Sequence, residues 1–221
     1  MLKYIGKGSC FNIKEINNSA YYKDHKYLLI IDCGETVATE ILKIGLLNDI
    51  EEVDILITHF HSDHIGSLPT LLFYLTIILK IIPNIIYEET DKMTDYLLLS
   101  GNDLKTLNII KPADVKNIKV QSVKQNHSQF INAYGYLINI NDQIIYFSGD
   151  SKNINEEILR KFKNKQIDYF YQDVSKYCND AHLNIEDLKN LIPQDKRKKI
   201  NCMHLDDDEL RESLVKMGFI V

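Results

Sequence analysis

The sequence is poor in several features that would direct it outside the cell, into a membrane or onto nucleic acid. Cysteine is sparse: Cys10, Cys33, Cys178 and Cys202 lie far apart and form no CxxC pair. Neither a disulfide framework nor a paired-cysteine zinc site is encoded. The opening Met1-Leu2-Lys3-Tyr4 carries no apolar leader, and with the scattered thiols it leads us to expect a reduced, cytoplasmic setting. The most apolar stretch, Leu71 to Ile82, is broken by Lys80 and ended by Pro83. It falls short of the ~20 residues of a spanning helix and reads as a buried helix, so no membrane partner is expected. Positive charge is lacking too. Lysine and arginine number 26 against 31 acidic residues, for a net charge of −5, so there is no general attraction to phosphate backbones and a large nucleic-acid partner is disfavoured. The one basic run, Lys196-Arg197-Lys198-Lys199, reads as the solvated lead-in to a strand.

What is present is an ordinary globular composition: 221 residues, 45% hydrophobic and 26% charged, enough for one domain over 1–221 with a sizeable core. Short β-rich runs alternate with helical ones. Tyr27 to Ile31 and Val53 to Ile57 read as strands around a helix from Glu35 to Leu47. Gly66 to Lys80 reads as a helix, Ile85 to Tyr87 as a strand and Asp91 to Leu99 as a helix, with the stretch Asp91 to Asp114 a candidate lid. The second half continues with strands at Lys119 to Val123, Tyr134 to Ile140, Ile144 to Ser148, Asp168 to Gln172 and Lys199 to Met203. Its helices are expected at Asn155 to Phe162, Asn184 to Leu191 and Asp207 to Lys216. Ser19-Ala20-Tyr21-Tyr22 followed by Leu28 to Asp32 is echoed by Asn132 to Tyr136 followed by Ile144 to Asp150. The echo predicts two similar halves, each with an antiparallel strand pair ending in an Asp beside a Gly, packed sheet against sheet with helices outside.

Chemistry concentrates in His59-Phe60-His61-Ser62-Asp63-His64, directly after the strand through Ile57. His59 and His61, two apart on a turning loop, can aim imidazoles at one cation while Asp63 and His64 address a second. Helix capping explains Ser62 or Asp63 but not three histidines. Two ions need further ligands at later strand ends, and His127, Asp150 and His204 stand there. Taken singly, each of these is more often structural. His25, in a polar turn, has no such context.

In the order of these motifs, the chain resembles the metallo-β-lactamase superfamily over nearly its whole length. The resemblance implies an α/β fold, the four-layer αββα metallo-β-lactamase sandwich. It also implies two divalent ions, zinc foremost, although these ligands also suit manganese or iron. His59, His61 and His127 would hold one ion, Asp63, His64 and His204 the other, and Asp150 would bridge them with a hydroxide between. Asp32 matches an early structural Asp of the superfamily.

Substrate choice needs residues outside the metal shell. His182, with Glu186 one helical turn on, resembles the His and Glu of ribonuclease Z and related phosphodiesterases, in which the imidazole protonates a leaving alkoxide. A histidine exposed to water at a helix start is the other reading. Gly6-Lys7-Gly8-Ser9 resembles the Gly-x-Gly loop of that group, with Lys7, Gly8 and Ser9 near an anionic substrate. Only 22 residues separate His127 from Asp150, too few for the tRNA-gripping arm of ribonuclease Z. In this the chain is similar to the compact branch that cleaves cyclic nucleotides, the anti-Pycsar phosphodiesterases among them. The expected activity is therefore hydrolysis of a small phosphodiester such as a cyclic mononucleotide. Asp63 and His182 would be catalytic, in a homodimer as is common among relatives. A tRNA 3′-processing endonuclease, a thioester or lactone hydrolase and a non-catalytic metal-binding module are the alternatives.

Overall fold

Hydrophobic patterning resolves into eleven strands and seven α-helices among the described residues, 1–115 and 118–221, of a computed structural model. They form two compact units, Met1–Lys7 with Glu15–Lys116 and Gly8–Lys14 with Asn117–Val221.

The first unit holds a six-stranded sheet in the order β1 (Lys3–Gly6), β2 (Ser19–Asp24), β3 (Tyr27–Ile31), β4 (Glu52–Leu56), β5 (Asn84–Ile86), β6 (Asn108–Ile110). β1 to β3 pair antiparallel and β3 to β6 parallel. Leu28 to Ile31 and Val53 to Leu56 are buried without alternation, as parallel strands covered on both faces require. Helices α1 (Val37–Lys43), α2 (Ser62–Ile65), α3 (Leu68–Phe73) and α4 (Thr90–Leu99) accompany the sheet, turning Val37, Ile41, Leu68, Leu72, Met93 and Leu97 into its core.

Two expectations are corrected here. The helix read from Gly66 to Lys80 is broken, because Pro69 opens a new helix and the chain continues as a π-helix from Tyr74 to Leu79, ending at Lys80 in the left-handed region (φ 59°). The apolar stretch is correspondingly not a buried helix: Ile77, Ile78 and Ile82 are 57%, 61% and 60% exposed. Ser62–Leu79 matches a membrane span in length and hydropathy, yet 44% of it is buried within the fold and its first turn carries Asp63 and His64. The second correction concerns the candidate lid. Its C-terminal part supplies β6, hydrogen-bonded to β5, and Tyr96 of α4 donates its hydroxyl to Ile65 O at 3.1 Å. The segment is built into the first unit rather than hinged over it.

The second unit holds a five-stranded sheet in the order β11 (Ile200–Met203), β10 (Tyr169–Asp173), β9 (Gln143–Phe147), β8 (Ala133–Ile140), β7 (Lys119–Gln125). β7 to β9 are antiparallel and β9 to β11 parallel. Helices α5 (Glu156–Lys163), α6 (Ile185–Leu191) and α7 (Asp208–Lys216) bury Ile158 with Phe162, Leu188, and Leu210 with Leu214 against Tyr146 and Phe170. The expected helix starts Asn155, Asn184 and Asp207 are the N-caps, each side chain accepting a backbone N–H of the first turn. Arg197 departs from the solvated reading of its run: it donates to Lys189 O, Ile192 O and Met217 O at 2.9–3.2 Å, tying the loop before β11 to two helix ends.

Each unit thus contains an antiparallel hairpin, β2–β3 or β8–β9, followed by a parallel strand, as the internal echo predicts. The strand ends are locked in the same way. Asp32 N donates to Leu56 O at 2.9 Å, and Thr58 N donates back to Asp32 Oδ1 at 2.7 Å. Ser148 N donates to Tyr171 O at 3.0 Å, and Asp173 N donates back to Ser148 Oγ at 2.9 Å.

Candidate metal-binding residues and their partners

In the first unit the histidine cluster emerges where β4 ends. Asp32 accepts from Thr58 N, from Thr58 Oγ1 at 2.8 Å and from His64 Nδ1 at 2.8 Å. Since the Thr58 hydroxyl proton goes to Asp32, Thr58 Oγ1 can accept from His59 Nδ1 at 3.0 Å. Both imidazoles therefore carry their proton on Nδ1 and keep a lone pair on Nε2, the tautomer a metal ligand needs. His64 Nε2 lies 3.3 Å from Asp63 Oδ2, and His61 Nδ1 lies 3.1 Å from His59 Nε2. Burial raises the pKa of Asp32 although His64 and Thr58 work against it, and burial pushes the neighbouring Cys33 thiol to about 12. Two features hold the loop. Phe60 packs edge-on against Tyr87 and Tyr96, with centroids 5.0 and 5.6 Å away. Gly34 lets the backbone of Asp63 approach so closely that an added Cβ would stand 1.9 Å from its carbonyl oxygen.

In the second unit Asp150 follows Gly149, whose left-handed φ of 58° turns the chain out of β9. Its carboxylate faces three imidazoles: His127 Nε2 at 3.7 Å, His204 Nε2 at 3.5 Å and His182 Nδ1 at 3.8 Å. The His127 and His204 separations exceed hydrogen bonds but suit a shared cation, because two ligands each ~2.1 Å from a tetrahedral ion stand about 3.4 Å apart, whereas His182 Nδ1 is engaged by Asp173. The His127 tautomer is set as well, since Nδ1 meets Ala181 O at 2.9 Å and leaves Nε2 toward Asp150. His204 sits in the left-handed region (φ 59°), an unusual conformation for a histidine that aims its ring beside His182, stacked at 4.8 Å. Asp150, Asp173, His182 and His204 form a group that can hold a metal ion.

His182 is not the solvent-exposed helix residue of the alternative reading. It is tied through Nδ1 to the buried Asp173 Oδ2 at 2.8 Å. Burial opposes a charged His182, but the charge and hydrogen bond of Asp173 and the charge of Asp150 outweigh it, raising the imidazole pKa above its usual value. Asp173 also accepts from Ser151 N at 2.9 Å and lies 3.4 Å from His204 Nδ1. Sequence reading missed Asp173; its one signal was an acid at the end of the strand before His182. Glu186, one helical turn beyond His182, is exposed and paired with Lys189 at 2.7 Å. The Ser9 N–H, expected to face phosphate, is spent on Leu205 O at 3.0 Å; Gly8 bridges to the same residue, and Lys7 Nζ rests 4.2 Å over the Tyr4 ring.

The sequence pattern of the family "Anti-Pycsar protein Apyc1" matches residues 1–221. The chain belongs to the Apyc1 family. An Apyc1 protein of Paenibacillus sp. (strain J14) is 28% identical over 94% of this chain and 89% of its own length. Among solved structures, the metallo-β-lactamase fold protein YhfI from Bacillus subtilis is similar at TM-score 0.74 and 16% identity, covering 98% of this chain and 92% of its own. A diphosphatase of the PhnP family is similar at TM-score 0.75 and 16% identity, covering 96% and 89%. This Apyc1-family chain therefore has the mixed α/β metallo-β-lactamase fold, and its clustered His and Asp side chains are suited to divalent metal.

Proposed function

We propose that the chain is a metal-dependent phosphodiesterase that cleaves a small nucleotide, a cyclic mononucleotide foremost. The observation that carries this reading is the Asp173–His182 pair beside Asp150 and His204: a proton donor fixed next to metal ligands serves a leaving alkoxide. Family membership supports it, anti-Pycsar phosphodiesterases being the cyclic-nucleotide branch that the sequence resembles. The missing arm supports it too, since the 22 residues between His127 and Asp150 are taken up by β8, β9 and their turns.

The ligand sets follow the resemblance: His59, His61 and His127 for one ion, Asp63, His64 and His204 for a second, and Asp150 between them, within one functional domain over 1–221. The unprotonated Nε2 atoms of His59, His64 and His127, each left by an Nδ1 hydrogen bond, support that assignment. Zinc is the metal we infer, with manganese or iron compatible with the same donors. When bound, the metal supplies an activated water near neutral pH and neutralises charge at phosphorus. Asp63 orients the nucleophile, and His182, held by Asp173, presents its Nε2 proton to the departing oxygen. A homodimer in the cytoplasm completes the reading, and the exposed Ile77, Ile78, Ile82 and Leu99 supply apolar surface for a second copy.

The test is a substrate panel of cyclic mononucleotides, bis-p-nitrophenyl phosphate, a thioester and precursor tRNA, run on metal-loaded wild type and His182→Ala. Cyclic nucleotide turnover is expected in the wild type and a loss of roughly 10²–10⁴-fold in the variant. Turnover of the thioester alone, unaffected by His182→Ala, would sink the reading.

A further inference from the structure

Three loops of the second unit meet at the end of its sheet that carries Asp150, His182 and His204, and each exposes a large apolar side chain. The loop after His127 carries Phe130, 94% exposed, and the loop between Asp173 and His182 carries Tyr177, 59% exposed. Gly8–Lys14 adds Phe11, also exposed. An aromatic ring left in water is unfavourable, and a loop tip has no packing need for one.

These loops are pinned rather than loose. His127 Nδ1 meets Ala181 O at 2.9 Å, joining the Phe130 loop to the Tyr177 loop one residue before His182. Lys152 strengthens the joint, its N–H donating to Asn126 O at 2.7 Å and its ammonium to Asn179 O. The Tyr177 loop is fixed at its base, where Ser175 Oγ donates to Asp206 Oδ2 at 2.8 Å and accepts from Tyr177 N at 3.1 Å. Phe130 N donates to Ser128 Oγ at 3.2 Å, which bends that loop's tip back on itself.

We infer that Phe130 and Tyr177 hold the nucleobase of the substrate by stacking, on two loops that the His127–Ala181 hydrogen bond couples directly to the metal-binding residues. This rests on the cyclic-nucleotide reading above and adds specificity-determining residues to it. Aromatic faces stack on purine and pyrimidine alike, so the two rings favour a diester that bears a base over one that does not.

Steady-state kinetics of the metal-loaded wild type, Phe130→Ala, Tyr177→Ala and Phe130→Trp test it, with 3′,5′-cyclic AMP and methyl p-nitrophenyl phosphate, a diester without a base. The expected result is a rise in KM for the cyclic nucleotide of about tenfold in each alanine variant, with the ratio of kcat/KM values for the two substrates falling by the same factor. Phe130→Trp is expected to restore the wild-type ratio. An unchanged ratio in both alanine variants, while the wild type cleaves the cyclic nucleotide, overturns the clamp alone. A wild type that cleaves methyl p-nitrophenyl phosphate but no cyclic nucleotide overturns the functional reading on which it rests.

Discussion

Asp173 decides how His182 is used. Its Oδ2 fixes the imidazole through Nδ1, its Oδ1 lies close to the Nδ1 of His204, and the Ser151 N–H holds the carboxylate in place. Asp173→Asn should lower kcat on cyclic nucleotides by about a hundredfold or more. Bis-p-nitrophenyl phosphate should be hurt far less, since p-nitrophenolate departs without a proton. Equal losses on both substrates, or loss of bound metal measured on the same sample, would make Asp173 a mere brace. The residues suited to hold metal stand out in the sequence because His and Asp crowd into one loop and three strand ends. Asp173 was not, because a lone acid at a strand end has no distinctive spacing, and its importance comes from burial beside two imidazoles. Glu186, singled out by its helical spacing from His182, lies on a face that looks into water and pairs with Lys189.

Among the elements, the loop from β3 into α1 underlies the histidine cluster. Cys33 N donates to His64 O at 2.7 Å, and Gly34 lies directly beneath the Asp63 carbonyl. Because a Cβ at position 34 meets backbone rather than a flexible side-chain tip, Gly34→Ala must displace the loop that carries Asp63 and His64. We expect such a protein to fold with its thermal midpoint lowered by several degrees, about 1–3 kcal/mol of overpacking, and with markedly weakened metal binding by titration calorimetry. Unchanged metal affinity would refute the coupling. Most strands and helices were legible from periodicity, and the hairpin echo foretold two similarly built sheets. Edge strands β1 and β6 escaped notice, since three or four residues are too few to show a period. The break at α3 and the π-helix escaped as well, because residues apolar all round do not reveal which face is covered.

For the molecule as a whole, the imidazole Nε2 atoms of His64, His127 and His204 stand 3.3–3.7 Å from the carboxylates of Asp63 and Asp150, separations that suit a cation better than a hydrogen bond. Metal removal should therefore be felt in stability. Chelation should lower the melting temperature by about 10 °C, from the ~4 kcal/mol that a ligand at a thousand times its Kd contributes. Re-addition of zinc, manganese or iron, each followed by metal analysis, would rank the ions. A melting temperature indifferent to chelator, in protein free of metal, would contradict a metal-dependent enzyme.

The lock at the ends of the two strand pairs bears on how such a molecule diversifies. In the first unit the acid, Asp32, stands on the earlier strand and the hydroxyl, Thr58, on the later; in the second, Ser148 and Asp173 hold the opposite places. What persists between the halves is a cross-strand hydrogen bond from the later strand's main-chain N–H to a side-chain oxygen at the end of the earlier strand, a carboxylate in one half and a hydroxyl in the other. A comparison of residue letters sets Asp32 against Asp150, whereas the hydrogen bonds set it against Ser148. Transposing one pair leaves the scaffold unaltered while moving a negative charge from one strand to the next. That move places a carboxylate against His64 in one half and against His182 in the other. Descent from a common hairpin would then be recorded in bonding geometry long after it had faded from the letters.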